Sequence, residues 1–249
     1  QENEEFSVTE EFKNYLEMGG MPFLVNLRYD KDASMQYLRD IYNSVLLKDV
    51  VQRNNIRDVE LLERMILYLL DNVGHSFSAR SISNYLKQEN RKVSTETILN
   101  YIKACCDAYL FIKLRREDIQ GKKILSANEK YYSVDHGLRE SILGTNTRNI
   151  DQVLENIVCM ELLRRGYTVT IGKNGEKEID FIASKNKDKL YIQVAYLLAG
   201  SETIEREFGI YDSVRDHYPK YVLSLDEFDM SRNGIKHLNI RDFLLSKEF

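Results

Sequence analysis

A predicted β-hairpin in the last third of the chain brings together side chains that are suited to binding a metal ion. Residues 177–196 read KEIDFIASKNKDKLYIQVAY, two strands joined by a four-residue loop at Lys185–Asp188. The expected cross-strand pairs are Ser184 with Lys189, Asp180 with Gln193, and Glu178 with Ala195. Strand alternation places Glu178, Asp180, Gln193 and Ala195 on one face, and Ile179, Phe181, Ile192 and Val194 on the other. Two oxygen ligands on adjacent strands can hold Mg²⁺, so Asp180 and Gln193 are the candidate metal ligands.

A helix, a turn and a strand precede this hairpin. The helix is predicted from Leu154 to Arg165, and Gly166 makes the turn. This order resembles the core of the restriction-endonuclease-like, PD-(D/E)xK nuclease fold and is similar to archaeal Holliday-junction resolvases. The resemblance implies that Glu155 on the helix, Asp180, and the tripeptide Gln193-Val194-Ala195 correspond to the residues that bind metal and activate water in that family.

Two departures from the family pattern bear on catalysis. Ala195 stands where the family has a lysine, which would orient the attacking water and offset negative charge, an effect worth several kcal/mol in comparable sites. Gln193 is a neutral ligand, and hard cations are held mainly by carboxylate charge. Glu178 and Lys189 are the nearby groups that the hairpin offers as compensation. The sequence therefore predicts no Mg²⁺- or Mn²⁺-dependent cleavage of DNA, and an active nuclease with a displaced lysine is the alternative.

Residues 1–58 are predicted to form a helical lid or linker segment. Thr9 is the expected cap of a first helix that ends at Gly19-Gly20. A turn containing Pro22 follows, and a longer helix begins near Ala33 and ends near residues 53–55.

Residues 59–135 are predicted to form a winged helix-turn-helix. Three amphipathic helices, the second and third capped by Ser78 and Ser94, precede two strands that would make the wing. The wing carries the densest basic cluster, and phosphate contacts are its expected role if the chain binds DNA. The candidate nucleic-acid-binding residues are Lys113, Arg115, Arg116, Lys122 and Lys123. Protein docking is the alternative role of this module.

Residues 136–249 are predicted to form an α/β domain. After the hairpin come an amphipathic helix that Pro219 ends, two strands, and a closing helical turn at residues 241–246. The fold class predicted for the whole chain is α+β or α/β: a helical segment, a winged helix-turn-helix, and a restriction-endonuclease-like domain.

The segments YLEMGGMPFLV, LKDVVQR, LENIVCMELLRRGY, EIDFIA and YIQVAY in this order resemble the carboxyl-terminal half of bacterial and archaeal AAA-type P-loop ATPases. The resemblance implies a missing amino-terminal ATPase domain, which would bind the ATP and be the first partner of this region. The chain itself contains no G-x-x-x-x-G-K-[ST] motif, so we expect it neither to bind nor to hydrolyse ATP.

Composition limits the remaining functions. The chain of 249 residues is 43% hydrophobic and 30% charged, which is typical of a globular protein, and its net charge of −4 means that any nucleic-acid binding depends on local patches. No apolar run predicts a membrane span, and three cysteines without metal spacing favour the cytoplasm. The sequence thus predicts an accessory, non-catalytic region of an ATPase that binds nucleic acid or protein, without a cofactor of its own. Mg²⁺ enters only if the nuclease is active, and a purely protein-docking module is the third alternative.

Overall fold

The computed structural model describes residues 7–76, 78–88, 92–121, 123–144 and 149–247. The chain forms two compact units, one made of residues 1–113 and 131–147 and the other of residues 114–130 and 148–249. The first unit is helical and the second contains most of a large mixed sheet, so the structure is mixed α/β with a helical amino-terminal part. The division between the units falls inside the strand pair that the sequence assigns to a wing.

The helices of the first unit begin at side-chain caps. Their bounds are α1 Val8–Met18, α2 Lys31–Ser44, α3 Val59–Asp71, α4 Ala79–Gln88, α5 Thr95–Asp107 and α6 His136–Leu143. Ser7, not Thr9, caps α1 through a capping box with Glu10. Ser78 and Ser94 accept hydrogen bonds at the starts of α4 and α5, as predicted.

A π-helix at Val45–Gln52 continues α2. Its buried Leu46 and Val50 belong to the core of the first unit, which also contains the apolar faces of α3, α4 and α5. In α3 the buried residues recur at three- and four-residue spacing, the period that places side chains on one helical face. These elements agree with the predicted order of three helices after residue 58, while their winged-helix arrangement stays a prediction.

A seven-stranded sheet runs in the order β2-β1-β3-β4-β5-β6-β7. Its strands are β1 Phe111–Asp118, β2 Lys123–Ser133, β3 Thr168–Asn174, β4 Lys177–Lys185, β5 Asp188–Val194, β6 Lys220–Ser224 and β7 Lys236–Asn239. Strand β4 is antiparallel to β3 and β5, whereas β1 with β3, β5 with β6, and β6 with β7 are parallel. Strand β1 therefore differs from the strand of a separate wing, because residues 116–118 pair with residues 171–173 of β3.

The helices of the second unit are α7 Ile150–Arg164, α8 Ser201–Gly209 and α9 Ile240–Leu245. Helix α7 starts four residues before the predicted Leu154 and brings Glu155 into its second turn. The order α7-β3-β4-β5-α8-β6 carries the candidate site residues on one helix and two central strands. No helix among the described residues is both long and apolar enough to cross a membrane.

The predicted register of the hairpin is confirmed. Ser184 pairs with Lys189, and the ladder continues to Phe181 with Ile192, so Asp180 and Gln193 are the next residues along the two strands. The loop is tighter than predicted because Lys185 pairs with Asp188.

A bulge in β4 breaks the predicted alternation of faces. On either side of the bulge, the pairs are Thr170 with Ile182 and Gly172 with Ile179. Two residues of β4, Asp180 and Phe181, therefore lie opposite the single residue Ile171 of β3. As a result Ile179, which was expected on the face opposite Ala195, packs in the same apolar cluster as Ala195.

Candidate active site

Asp180 and Gln193 lie side by side where β4 and β5 cease to pair. The Oδ2 atom of Asp180 accepts a hydrogen bond of 2.8 Å from the backbone N–H of Val194. The backbone N–H of Asp180 donates to Oε1 of Gln193 at 3.2 Å. Side-chain bonds thus replace the ladder at this point, and the bulge beside Asp180 sets the direction of its carboxylate.

Lys130 of β2 lies beside three carboxylates, Glu155, Glu178 and Asp180, which we call the acidic cluster. The Lys130 Nζ atom lies 2.6 Å from Glu178 Oε1 and 3.3 Å from Glu155 Oε1, and its side chain is 6% exposed. The second oxygen of Glu178 accepts from Arg116 Nη2 at 2.6 Å. Four elements, β1, β2, β4 and α7, therefore meet in one network of ion pairs.

The acidic cluster shifts the ionisation of its members. Burial alone would lower the pKa of Lys130, but the charges of Glu155, Asp180 and Glu178 outweigh it and raise that pKa, so Lys130 is an ammonium ion at neutral pH. Burial and the charge of Glu155 raise the pKa of Asp180 well above its ordinary value, against the opposing effect of Lys130. A buried carboxyl group with a perturbed pKa and a specific charged partner marks a candidate functional site.

The sequence missed Lys130. Lys130 lies 25 positions before Glu155, in a strand that the sequence assigns to the wing. Followed by Tyr131 and Tyr132, it resembles an ordinary solvent-exposed lysine. The structure also places Lys189 away from the acidic cluster, because Lys189 Nζ pairs with Glu117 of β1 at 2.8 Å. Lys130, and not Lys189, is the lysine that accompanies Glu155 and Asp180.

Ala195 is buried in an apolar cluster with Leu198, Phe208 and Tyr211. A lysine side chain at this position would enter hydrocarbon surroundings. Position 195 is therefore part of the apolar core, and the buried ammonium group of this region comes from Lys130 of β2.

The oxygen donors fit a magnesium ion that shares its coordination with water and substrate. Among the described residues, no group of three or more His, Cys, Asp or Glu side chains is arranged to hold a metal by itself. Mg²⁺ is commonly bound by one or two carboxylates, with waters and substrate phosphates completing its octahedron. Asp180 supplies one carboxylate and Gln193 an amide oxygen, which is enough for an ion whose other ligands are water and phosphate.

The predicted basic cluster is divided by the structure. Lys113 and Arg115 are exposed on β1. Arg116 is instead held against Glu178 with its side chain 15% exposed, so it belongs to the network around the acidic cluster. Lys122 lies outside the described residues, and Lys123 begins β2.

Comparison with known proteins identifies the family. The chain belongs to the family described as Domain of unknown function (DUF8612), whose model matches residues 9–149. The matched segment includes Lys130 and Arg116, and it ends before Glu155.

Similar proteins occur in a bacterium and an archaeon. An "Uncharacterized protein" of Haemophilus influenzae is 37% identical over 235 residues, covering 94% of this chain and 58% of the relative. "Uncharacterized protein MJ1544" of Methanocaldococcus jannaschii is 30% identical over 203 residues, covering 80% of this chain and 44% of the relative. The chain thus spans about half the length of these relatives. No solved structure matches.

Proposed function

We propose that the second unit is a metal-dependent nuclease in which Lys130 is the displaced lysine. The observation that carries this proposal is the placement of a buried ammonium group, from a different strand, beside Glu155 and Asp180. The order α7-β3-β4-β5-α8-β6, with Asp180 and Gln193 at adjoining strand ends, supports the restriction-endonuclease-like resemblance.

The reaction is hydrolysis of a phosphodiester. Water adds across one P–O bond: its oxygen bonds to phosphorus, the ester P–O bond breaks, and a proton passes to the departing oxygen. Asp180 and Gln193 would hold Mg²⁺, which neutralises phosphate charge and lowers the pKa of bound water. The ammonium of Lys130 stabilises the negative charge that develops on the phosphoryl oxygens, and burial strengthens that effect.

We further infer that this nuclease unit serves a longer, ATP-hydrolysing protein. The resemblance to the carboxyl-terminal half of AAA-type ATPases supports this role, and the greater length of the two relatives is consistent with it.

Binding of nucleic acid or protein without cleavage is the second candidate. It is favoured by the neutral amide of Gln193, whose oxygen already accepts a hydrogen bond from Asp180. Both oxygens of Glu178 are likewise engaged, by Arg116 and Lys130.

Cleavage assays on duplex, single-stranded and branched DNA with Mg²⁺ or Mn²⁺ separate these functions. We expect cleavage by the wild type, and a loss of about 100-fold or more in Lys130→Met and Asp180→Asn, because each removes a preorganised charge. Asp180→Asn keeps an oxygen that can accept from Val194, and thermal unfolding verifies that each variant folds.

Lys189→Met is the matched control, since Lys189 also forms a partly buried ion pair on the same sheet, but its partner is Glu117 of β1. It should cleave at the wild-type rate. If no DNA is cut under any of these conditions, or if Asp180→Asn cuts as fast as the wild type, the nuclease function is refuted and binding alone is favoured.

A further inference from the structure

Glu207 of α8 is a buried carboxylate with only one of its two oxygens engaged. Its residue is 3% exposed, and Oε1 accepts from Arg206 Nη2 at 2.7 Å. Oε2 is buried and, within the part of the chain that the structure describes, has no hydrogen-bond partner. A buried oxygen of this kind costs on the order of 1–3 kcal/mol, and more when it is charged, unless another group satisfies it.

Helix α8 packs against the backbone that positions Asp180. Phe208, the residue after Glu207, belongs to the same apolar cluster as Ile179 and Ala195. Ile179 immediately precedes Asp180, and Ala195 follows the residue whose N–H donates to the Asp180 carboxylate. The cluster therefore joins α8, through the residue after Glu207, to the strand residues that flank Asp180 and Val194.

The charges of Asp180 and Glu207 both act on the buried hydroxyl group of Tyr211. Tyr211, one helical turn beyond Glu207, is buried, and its hydroxyl donates to the carbonyl oxygen of Tyr221 at 2.7 Å. Burial raises the pKa of Tyr211, and the charges of Asp180 and Glu207 raise it further. Because Tyr211 donates its hydroxyl hydrogen to Tyr221, it does not donate to the remaining oxygen of Glu207.

We propose that Glu207 is a further ligand of the divalent cation assigned to Asp180, with Oε2 as the coordinating atom. The inference rests on the proposed function and extends its ligand set from Asp180 and Gln193 to a second carboxylate. Two carboxylates and an amide oxygen leave the remaining positions of an octahedral ion to waters and to substrate phosphate. Glu207 of α8 thereby provides the negative charge that the neutral amide of Gln193 does not supply.

The test measures Mn²⁺ binding to the whole chain, by electron paramagnetic resonance, without DNA. We expect saturable binding by the wild type and at least tenfold weaker binding by Glu207→Gln, which keeps an acceptor for Arg206 but loses the charge. Glu207→Asp should recover part of the affinity. Glu205→Gln is the matched control, because Glu205 is an exposed carboxylate on the same helix, and it should bind like the wild type.

Equal Mn²⁺ affinity in Glu207→Gln and wild type overturns the inference, as does the absence of saturable Mn²⁺ binding by the wild type. Measuring DNA cleavage alongside Mn²⁺ binding distinguishes failure of this inference from failure of the nuclease function. Binding that depends on Glu207 without any DNA cleavage would retain the ligand and refute the hydrolysis. Cleavage with unchanged Mn²⁺ binding in Glu207→Gln would refute only the ligand.

Discussion

Lys130 shows how a single buried charge is maintained inside this protein. Moving an ammonium group out of water costs several kcal/mol, and only close, hydrogen-bonded counter-charges compensate for that cost. Glu178 and Glu155 provide them at 2.6 and 3.3 Å, and Arg116 balances the second oxygen of Glu178. Removal of the lysine would leave Glu155 without the ammonium group beside it and Glu178 with Arg116 as its counter-charge.

We predict that Lys130→Met lowers the free energy of unfolding at pH 7 by about 3 kcal/mol, the lower end for breaking a buried ion pair, because Glu155 and Glu178 remain partly exposed. The raised pKa of Lys130 fixes the pH dependence. Its contribution is complete below the unfolded pKa of about 10.4 and is lost as the pH rises through the folded pKa. Urea denaturation from pH 7 to pH 11 measures the difference between the two proteins.

The difference in stability should shrink above pH 10.4, and Lys189→Met should lose less stability, since the side chain of Lys189 is 27% exposed. A Lys130→Met variant as stable as the wild type at pH 7 would mean that the ion pairs contribute nothing net.

Ser224, His237 and Asp226 form a second constellation of chemically capable residues, and their hydrogen bonds show a structural role. His237 Nδ1 accepts from the N–H of Met230, so Nε2 carries the proton and donates to Ser224 Oγ. Ser224 in turn donates to Asp226. The imidazole therefore cannot take the serine proton, and burial, which lowers the pKa of His237, keeps the ring neutral. This network joins the carboxyl end of β6 to His237 of β7 and to the segment between the two strands.

At the scale of elements, the hairpin was predictable and its bulge was not. Period-two alternation and a polar turn fix the pairing of Ser184 with Lys189, because a one-residue slip would expose the apolar face. The short turn at Gly175 joins β3 and β4 and sets their pairing at Asn174 and Lys177, but no local pattern specifies the later shift by one residue between Thr170 and Gly172. The sequence therefore predicted that Asp180 and Gln193 meet, but it misassigned the face of Ile179.

The pairing of β1 with β3 is the other feature that local patterns could not supply. A strand followed by a loop and a second strand is compatible with either a free wing or the edge of a larger sheet. Contacts between residues 116–118 and 171–173 decide between them, and they join segments more than 50 positions apart. Lys130 reaches Glu155 only through that long-range arrangement, which is why the sequence left its lysine unassigned.

The end of α1 and the start of α6 provide a test of close packing in the first unit. A Cβ atom on Gly19 would lie 2.1 Å from Asp135 Oδ1, the carboxylate that caps α6 and accepts from the N–H of Gly20. We predict that Gly19→Ala destabilises the protein by about 2 kcal/mol more than Gly144→Ala, because it also displaces a helix cap. Thermal or urea unfolding of both variants measures the difference.

Gly144 is the matched control because it also ends a helix at positive φ, +81° against +79° for Gly19, but no atom of the described residues lies within 4 Å of an added Cβ atom. Both variants therefore share the backbone strain, and only one has the clash. Equal losses of stability would show that Asp135 moves aside without cost.

For the whole molecule, charge determines whether DNA binding is feasible at all. A net charge of −4 gives no general attraction to a polyanion, so binding depends on a local group of cations. Lys113 and Arg115 are exposed on β1, and Lys123 begins β2, while Lys122 lies outside the described residues. Arg116 is excluded from this group because it neutralises Glu178.

We predict that Lys122→Ala/Lys123→Ala weakens DNA binding similarly on all sequences and reduces the slope of log K against log salt by roughly two, since each phosphate contact contributes about 0.9. Lys185→Ala/Lys187→Ala is the matched control: it removes the same charge from the end of β4 and the turn that follows, and should leave the slope unchanged. Fluorescence anisotropy with labelled duplexes from about 50 to 200 mM salt gives both slopes. If both double variants lower the slope equally, the net charge of the molecule and not the hairpin determines binding. If the wild type does not bind DNA at about 50 mM salt, the DNA-binding role of the hairpin is refuted and protein docking is favoured.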